Sequence, residues 1–210
     1  MRVGELWRYP VKSMRGEALD QVELRPDGFE GDRVVHVRDE GQLVTGRTRP
    51  GLLGLSATLG PDGDALVDGR PWRADEVAAA VREAAGEGAR LIGDGRSRFF
   101  DETPLLVATD GMAEEFGIDR RRLRPNIVIA GVEGFAEREW EGRRMRIGDA
   151  VIVLDHLCVR CVMTTIDPDS LDQDADVLRR INDELDGRAA LNCSVEQPGR
   201  IALGDPVELL

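Results

Sequence analysis

A mainly β fold carrying about three helices (an α+β class), with its strands curling toward a barrel, is what this sequence predicts. Three observations carry that expectation. Short segments of alternating polarity, separated by proline–glycine turns, fill the first third of the chain. Apolar β-branched runs appear further on, and three windows have helical spacing.

The elements follow in order. Residues 2–9 alternate, with Val3, Leu6, Trp7 and Tyr9 interrupted by polar side chains, and end at Pro10 as a strand. Residues 20–25 (DQVELR) alternate again before Pro26-Asp27-Gly28, where proline presets φ and glycine accepts φ > 0. Residues 33–38 (RVVHVR) are the next strand, 39–42 a hairpin loop and 43–46 the return. Residues 53–59 and 65–67 flank a second hairpin at Pro61-Asp62-Gly63. The alanine-rich stretch 74–86, with Val77, Val81 and Ala84 on one face, predicts a helix. Residues 110–117 predict a shorter one, with Asp110 as N-cap. The runs NIVIA (126–130) and AVIVL (150–154) predict buried strands. A third helix is expected over 174–185, with Val177, Leu178, Ile181 and Leu185 apolar and Gly187 past its end. Residues 201–210 close the chain with two short strands around Gly204-Asp205-Pro206. No internal repeat is visible, and the nearest thing to a boundary is the helix at 74–86.

Hydrophobic residues make up 41% of the 210, enough for a sizeable core without covalent staples, and aromatics only 4%, so aliphatic packing must dominate. The net charge of −12 opposes binding to nucleic acid or an anionic membrane. An anionic ligand would therefore need basic side chains gathered locally. No run approaches the roughly 18 apolar residues of a membrane span, and the N-terminus lacks an export-signal pattern, so a cytoplasmic location is expected. An odd count of cysteines, Cys158, Cys161 and Cys193, argues for thiols or metal ligands over a disulfide framework.

The most informative segment is Cys158-Val159-Arg160-Cys161, which follows a predicted buried strand. Thiolates are the soft ligands a heavy metal prefers, and Arg160 beside Cys161 would stabilise one. The spacing alone leaves several readings open: half a zinc site completed by His156 and Cys193, a redox pair, or two small buried hydrophobes. Three further clusters lie at ends of predicted strands. Tyr9-Pro10-Val11-Lys12-Ser13 offers a charge and a hydroxyl suited to phosphate. Gly28-Phe29-Glu30-Gly31-Asp32-Arg33 enters a strand through two glycines. In Leu123-Arg124-Pro125-Asn126, the proline is expected to hold Arg124 extended, and Asn126 offers donors and an acceptor for a heterocycle edge. If a barrel gathers Lys12, Arg33, Arg124 and Arg160 at one mouth, an acidic protein acquires a local anion site. Each charge-assisted bond there would contribute on the order of 1.5–3 kcal/mol.

These clusters resemble the MOSC family, named after the C-terminal domain of molybdenum cofactor sulfurase. The resemblance runs nearly end to end through LWRYPVKSMRGEAL, GFEGDRVV, Val44-Thr45-Gly46-Arg47, RPNIVI, CVRCVMTTIDPD and PGRIALGDPVELL. It is nearest the branch of the mitochondrial amidoxime reducing components and their bacterial relatives. The resemblance implies a MOSC-type β-barrel fold, with an N-terminal β-barrel subdomain over 1–85 and the MOSC domain over 86–210. It implies a molybdenum cofactor whose metal is held by the pterin dithiolene and by Cys161. Lys12, Ser13, Arg33, Arg124, Asn126 and Arg160 would contact the cofactor, with Asp101 and Thr103 approaching the pterin. Cys158 would be structural.

The implied activity is reduction of a small N-hydroxylated substrate. Electrons would come from a separate donor protein of ferredoxin or flavin-reductase type. The rival is a sulfur-carrier or cofactor-delivery protein with a persulfide on Cys161. Two departures from the family pattern, Ser170-Leu171 after Asp-Pro-Asp and Val159 between cysteine and arginine, fall near the expected substrate mouth.

Overall fold

The computed structural model describes residues 1–93 and 100–210. Strands dominate, and three α-helices decorate them among the described residues. The chain opens with β1 (Arg2–Arg8), β2 (Glu17–Leu19), β3 (Gln21–Arg25), β4 (Gly28–Phe29), β5 (Val35–Asp39) and β6 (Gln42–Val44). Next come β7 (Ala57–Leu59), β8 (Ala65–Val67), β9 (Arg70–Pro71), α1 (Asp75–Ala85) and β10 (Arg90–Gly93). The second half holds β11 (Leu105–Thr109), α2 (Asp110–Phe116), β12 (Ile127–Ala130), β13 (Arg144–Ile147) and β14 (Ala150–Val159). It ends with α3 (Ala175–Leu185), β15 (Arg188–Gln197), β16 (Gly199–Ala202) and β17 (Val207–Leu209).

An eight-stranded sheet ordered β17-β13-β14-β15-β11-β12-β1-β2 organises the molecule. All its pairs are antiparallel except β11–β12, whose parallel pairing needs a crossover; α2 supplies it. The sheet curls: an isolated bridge between Arg2 and Pro206 brings the start of β1 against the start of β17. The ladder does not close, so the barrel expected from the sequence is a curled open sheet flanked by three-stranded sheets β10-β5-β6, β16-β3-β4 and β7-β8-β9.

Period-two alternation builds the inner face. Leu105 and Val107, Ile127 and Ile129, Met145 and Ile147, Ile152 and Leu154, and Leu191 and Cys193 all enter one core. A second core packs α1 through Val77, Val81 and Ala85 against Val35, Val37 and Trp72. On the outer face α3 lays Val177, Ile181 and Leu185, one turn apart, against Met112, Phe116 and Ala190. Burying each such side chain contributes about 1.5–3 kcal/mol. No helix among the described residues is long and apolar enough to cross a membrane.

Several expectations need correction. Thr109, not Asp110, caps α2: its Oγ1 accepts from Met112 N at 3.2 Å. The Asp110 carboxylate instead accepts from Gly111, Gly131 and Val132 N, tying the loop after β12 to the helix. The strand expected from residue 53 begins at Ala57, because Pro50–Gly54 forms a 3-10 turn with proline at its start. Arg124 is not extended: it adopts φ 58, ψ 49, closing the short 3-10 turn Arg120–Leu123. The proline does keep it out of the right-handed helical region; the left-handed region lets its N–H bond Arg121 O. Strands β11, β13 and β15 have no counterpart in the sequence reading. In β15 the polar Asn192 and Ser194 break the apolar pattern, although residues 189–193 are all buried.

Candidate functional site

One cleft gathers all nine residues singled out from the sequence: Lys12, Ser13, Arg33, Asp101, Thr103, Arg124, Asn126, Arg160 and Cys161. Arg47, Arg122, Glu102, Cys158, Val159, Met163 and Asn192 also line it.

The basic wall is built on a buried network. Asp32, fully buried, accepts from Tyr9 N at 2.6 Å and Asn126 Nδ2 at 3.0 Å, and pairs with Arg33. Tyr9 sits between two guanidinium groups, Arg33 at 4.8 Å and Arg124 at 4.3 Å from its ring centroid. Its hydroxyl donates to Pro125 O at 3.1 Å. Arg124 is tethered through Nη2 to Met14 O at 2.7 Å. Burial lowers the Arg124 guanidinium to about 10, still cationic near neutral pH, and pushes the Tyr9 phenol up to about 12. The polar edge expected of Asn126 is engaged within the protein: Nδ2 also donates to Trp7 O, while Oδ1 accepts from Leu106 N and Arg33. Asn126 thus braces the wall that carries Arg33.

Main-chain bonds from Lys12 N to Val35 O and from Arg33 N to Tyr9 O lock the segment after β1 alongside the entry to β5. Ser13 takes a left-handed φ of 69 beyond it. Lys12 Nζ donates to Asp101 Oδ1 at 2.7 Å, and Arg47 Nη2 donates to Asp101 Oδ2 at 2.7 Å. Burial lowers the Lys12 ammonium below its ordinary value, although Asp101 opposes the shift. Burial also works against the Asp101 charge, yet Lys12 and Arg47 hold its carboxyl below the usual range. Gly28 lets the β3–β4 turn approach closely: with φ +104, a Cβ there would sit 2.9 Å from Pro104 O, next to the segment carrying Asp101 and Thr103. Thr103 Oγ1 donates to Leu105 O and accepts from Cys193 N, so it fixes the strand entry.

The thiol wall follows from β14, whose register shifts between Leu154 and His156 and again between Leu157 and Val159. Cys161 begins the 3-10 turn Val162–Thr165, which Thr164 Oγ1 secures on Cys161 O at 2.8 Å. Arg160 differs from its expected place. Its Nη1 lies 3.1 Å from Cys158 Sγ and its Nη2 donates to Leu123 O at 2.8 Å, while its Nε is buried with no hydrogen-bond partner among the described residues. Arg47 also approaches Cys161: burial works against its charge, but Cys161 and the nearby Asp101 hold its guanidinium above its ordinary value. Arg47 lay in view in Val44-Thr45-Gly46-Arg47, but only folding shows which sulfur it faces. Cys193 is buried in the core, its thiol pushed well up by burial. Among the described residues no three His, Cys, Asp or Glu side chains converge as a metal set, which leaves the four-ligand zinc reading without its ligands.

Known proteins resemble this chain in sequence and fold. The family model described as the MOSC N-terminal beta barrel domain matches residues 1–92, and the MOSC domain model matches residues 103–208. The human mitochondrial amidoxime-reducing component 1 is 24% identical over 282 aligned positions, covering 99% of this chain and 82% of its own. The human component 2 is 25% identical, covering 98% and 82%. A molybdenum cofactor sulfurase of Caenorhabditis elegans is 21% identical over 86% of this chain, matching 31% of its own length. Among solved structures, the YUAD protein from Bacillus subtilis superimposes with a TM-score of 0.55 at 14% identity, covering 99% of this chain and 94% of that one, a likeness of fold.

Proposed function

The chain belongs to the MOSC family, and from that premise we propose that its cleft binds the molybdenum cofactor and that the protein reduces N-hydroxylated compounds with electrons from a separate donor protein. One observation carries this reading. A chain of net charge −12 concentrates six basic side chains, Lys12, Arg33, Arg47, Arg122, Arg124 and Arg160, around two thiols in one cleft.

The residues fit the group. Its phosphate needs cations and hydroxyls, which Lys12, Ser13, Arg33 and Arg124 offer. Its metal needs a soft ligand, which Cys161 offers. Arg160 Nε on the cleft wall, buried and without an acceptor among the described residues, is a donor that a bound group could satisfy. When bound, the cofactor supplies two-electron oxygen-atom removal at the metal. An amidoxime then takes up two electrons and two protons, its N–O bond breaks, and an amidine and water leave. The chain's own part is to hold and orient. Asp32 and Asn126 fix Arg33, Arg47 places its charge beside Cys161, and the Thr164 hydroxyl secures the turn that Cys161 begins. The units 1–85 and 86–210 would meet at this cleft, the first supplying Lys12, Ser13, Arg33 and Arg47.

The test is molybdenum and pterin content of protein co-expressed with cofactor biosynthesis, wild type beside Cys161→Ala, followed by benzamidoxime turnover. Near-stoichiometric molybdenum that falls in the variant, with activity lost, supports the assignment. Full turnover by Cys161→Ala would sink it. A sulfur atom added to Cys161 by mass, without metal, would move the function to sulfur transfer.

A further inference from the structure

Among the described residues the cleft holds two carboxylates beside its basic residues, and they are used differently. Both oxygens of Asp101 are taken, one by Lys12 and one by Arg47. Glu102 is held at one oxygen only. Its Oε2 accepts from Asn192 Nδ2 at 2.5 Å and lies 2.9 Å from His156 Nε2. Its Oε1 has no partner among the described residues, and the side chain is 50% exposed, so that oxygen is open to a ligand. His156 and Asn192 face each other as register partners of β14 and β15, in the most extensively paired region of the sheet. Cys158, two residues after His156 in β14, also lines the cleft. An acid that ignores the surrounding arginines, and is instead pinned by a neutral amide and an imidazole, is not serving to neutralise the basic wall.

We propose that Glu102 is a substrate-anchoring residue of the cleft. Its free Oε1 accepts N–H bonds from the amino group beside the N–OH of an amidoxime- or N-hydroxyguanidine-type substrate, and Asn192 and His156 are its positioning residues. This rests on the reductase reading for the identity of the substrate, but the carboxylate's demand for an N–H donor stands on the geometry. A compound with amino nitrogen on the carbon bearing N–OH can place that nitrogen on Glu102 while its hydroxyl points toward the thiol wall. A tertiary amine N-oxide carries no N–H and gains nothing from this contact. Loss of a charge-assisted bond of this kind weakens binding roughly tenfold or more.

The experiment uses the cofactor-loaded protein and two readouts. Calorimetric binding of benzamidine, the reduced amidine, is compared between wild type and Glu102→Gln. Turnover of benzamidoxime is compared with that of N,N-dimethylaniline N-oxide. The expected result is roughly tenfold weaker benzamidine binding and a matching rise in KM for benzamidoxime at unchanged kcat. Molybdenum content and N-oxide turnover stay as in wild type. Asn192→Ala, which only loosens the carboxylate, gives a smaller KM rise, again without change in kcat. Equal benzamidine affinity in wild type and Glu102→Gln overturns the proposal. So does an equal loss on both substrates, or a fall in molybdenum, since either would make Glu102 part of the cofactor site. If wild type reduces neither compound while Glu102→Gln still weakens benzamidine binding, the reductase reading fails and the amidine-binding carboxylate stands.

Discussion

Replacing Asp32 by alanine tests whether the basic wall rests on one buried carboxylate. Asp32 is fully buried and holds three groups: Tyr9 N at 2.6 Å, Asn126 Nδ2 at 3.0 Å and the Arg33 guanidinium. Its removal orphans two buried donors, each worth about 1–3 kcal/mol. It also leaves Arg33, only 14% exposed, without its counter-ion, and breaking a buried pair costs about 3–5 kcal/mol. These losses share one network and do not add, so the expected destabilisation is about 4 kcal/mol. Asp32→Asn keeps an acceptor for one donor and should lose about half as much. Urea unfolding followed by circular dichroism reads both: the midpoint should fall while the slope stays constant. The exposed Arg179 pairs, with Asp176 and Asp183 on α3, provide the control, and Arg179→Ala should leave the unfolding midpoint nearly unchanged. A loss below about 1 kcal/mol for Asp32→Ala would refute the reasoning, since it would mean the network is relieved by relaxation or water.

Glu137 is buried beside the Thr109 hydroxyl at 3.1 Å, and burial raises its carboxyl above the ordinary range. The folded protein therefore binds this proton more tightly than the unfolded chain. Its contribution to stability is greatest below the ordinary glutamate range and declines as pH rises through the raised folded value. Glu137→Gln removes that decline, so the variant should gain on wild type steadily from pH 4 upward in paired urea titrations; a gap independent of pH would contradict this. Ile181→Ala, at the fully buried centre of the α3 stripe, should cost about 2–5 kcal/mol by the same unfolding assay. A smaller loss would show that α3 is not locked onto β15.

Much of this protein is legible in its sequence because the signals are local. The 3.6-residue spacing of Val77 and Val81, and of Val177, Ile181 and Leu185, fixes α1 and α3 almost to the residue. Alternation around proline–glycine turns marks β1, β3 and β5, and the proposed cofactor residues meet in one cleft because their motifs sit at strand ends. What the tertiary structure decided is which group faces which. Arg47 faces Cys161, and Arg160 faces Cys158, although Arg160 is the covalent neighbour of Cys161. Glu102, His156 and Asn192 meet across 54 and 36 residues of chain. Strand β15, which carries Asn192, hid because its polar residues interrupt the apolar run while neighbouring strands bury it. The physical reason is that periodicity reports the environment of one element at a time, whereas side-chain direction in a sheet depends on pairing register. A one-residue shift such as those in β14 turns a side chain to the other face without leaving any mark in composition or spacing.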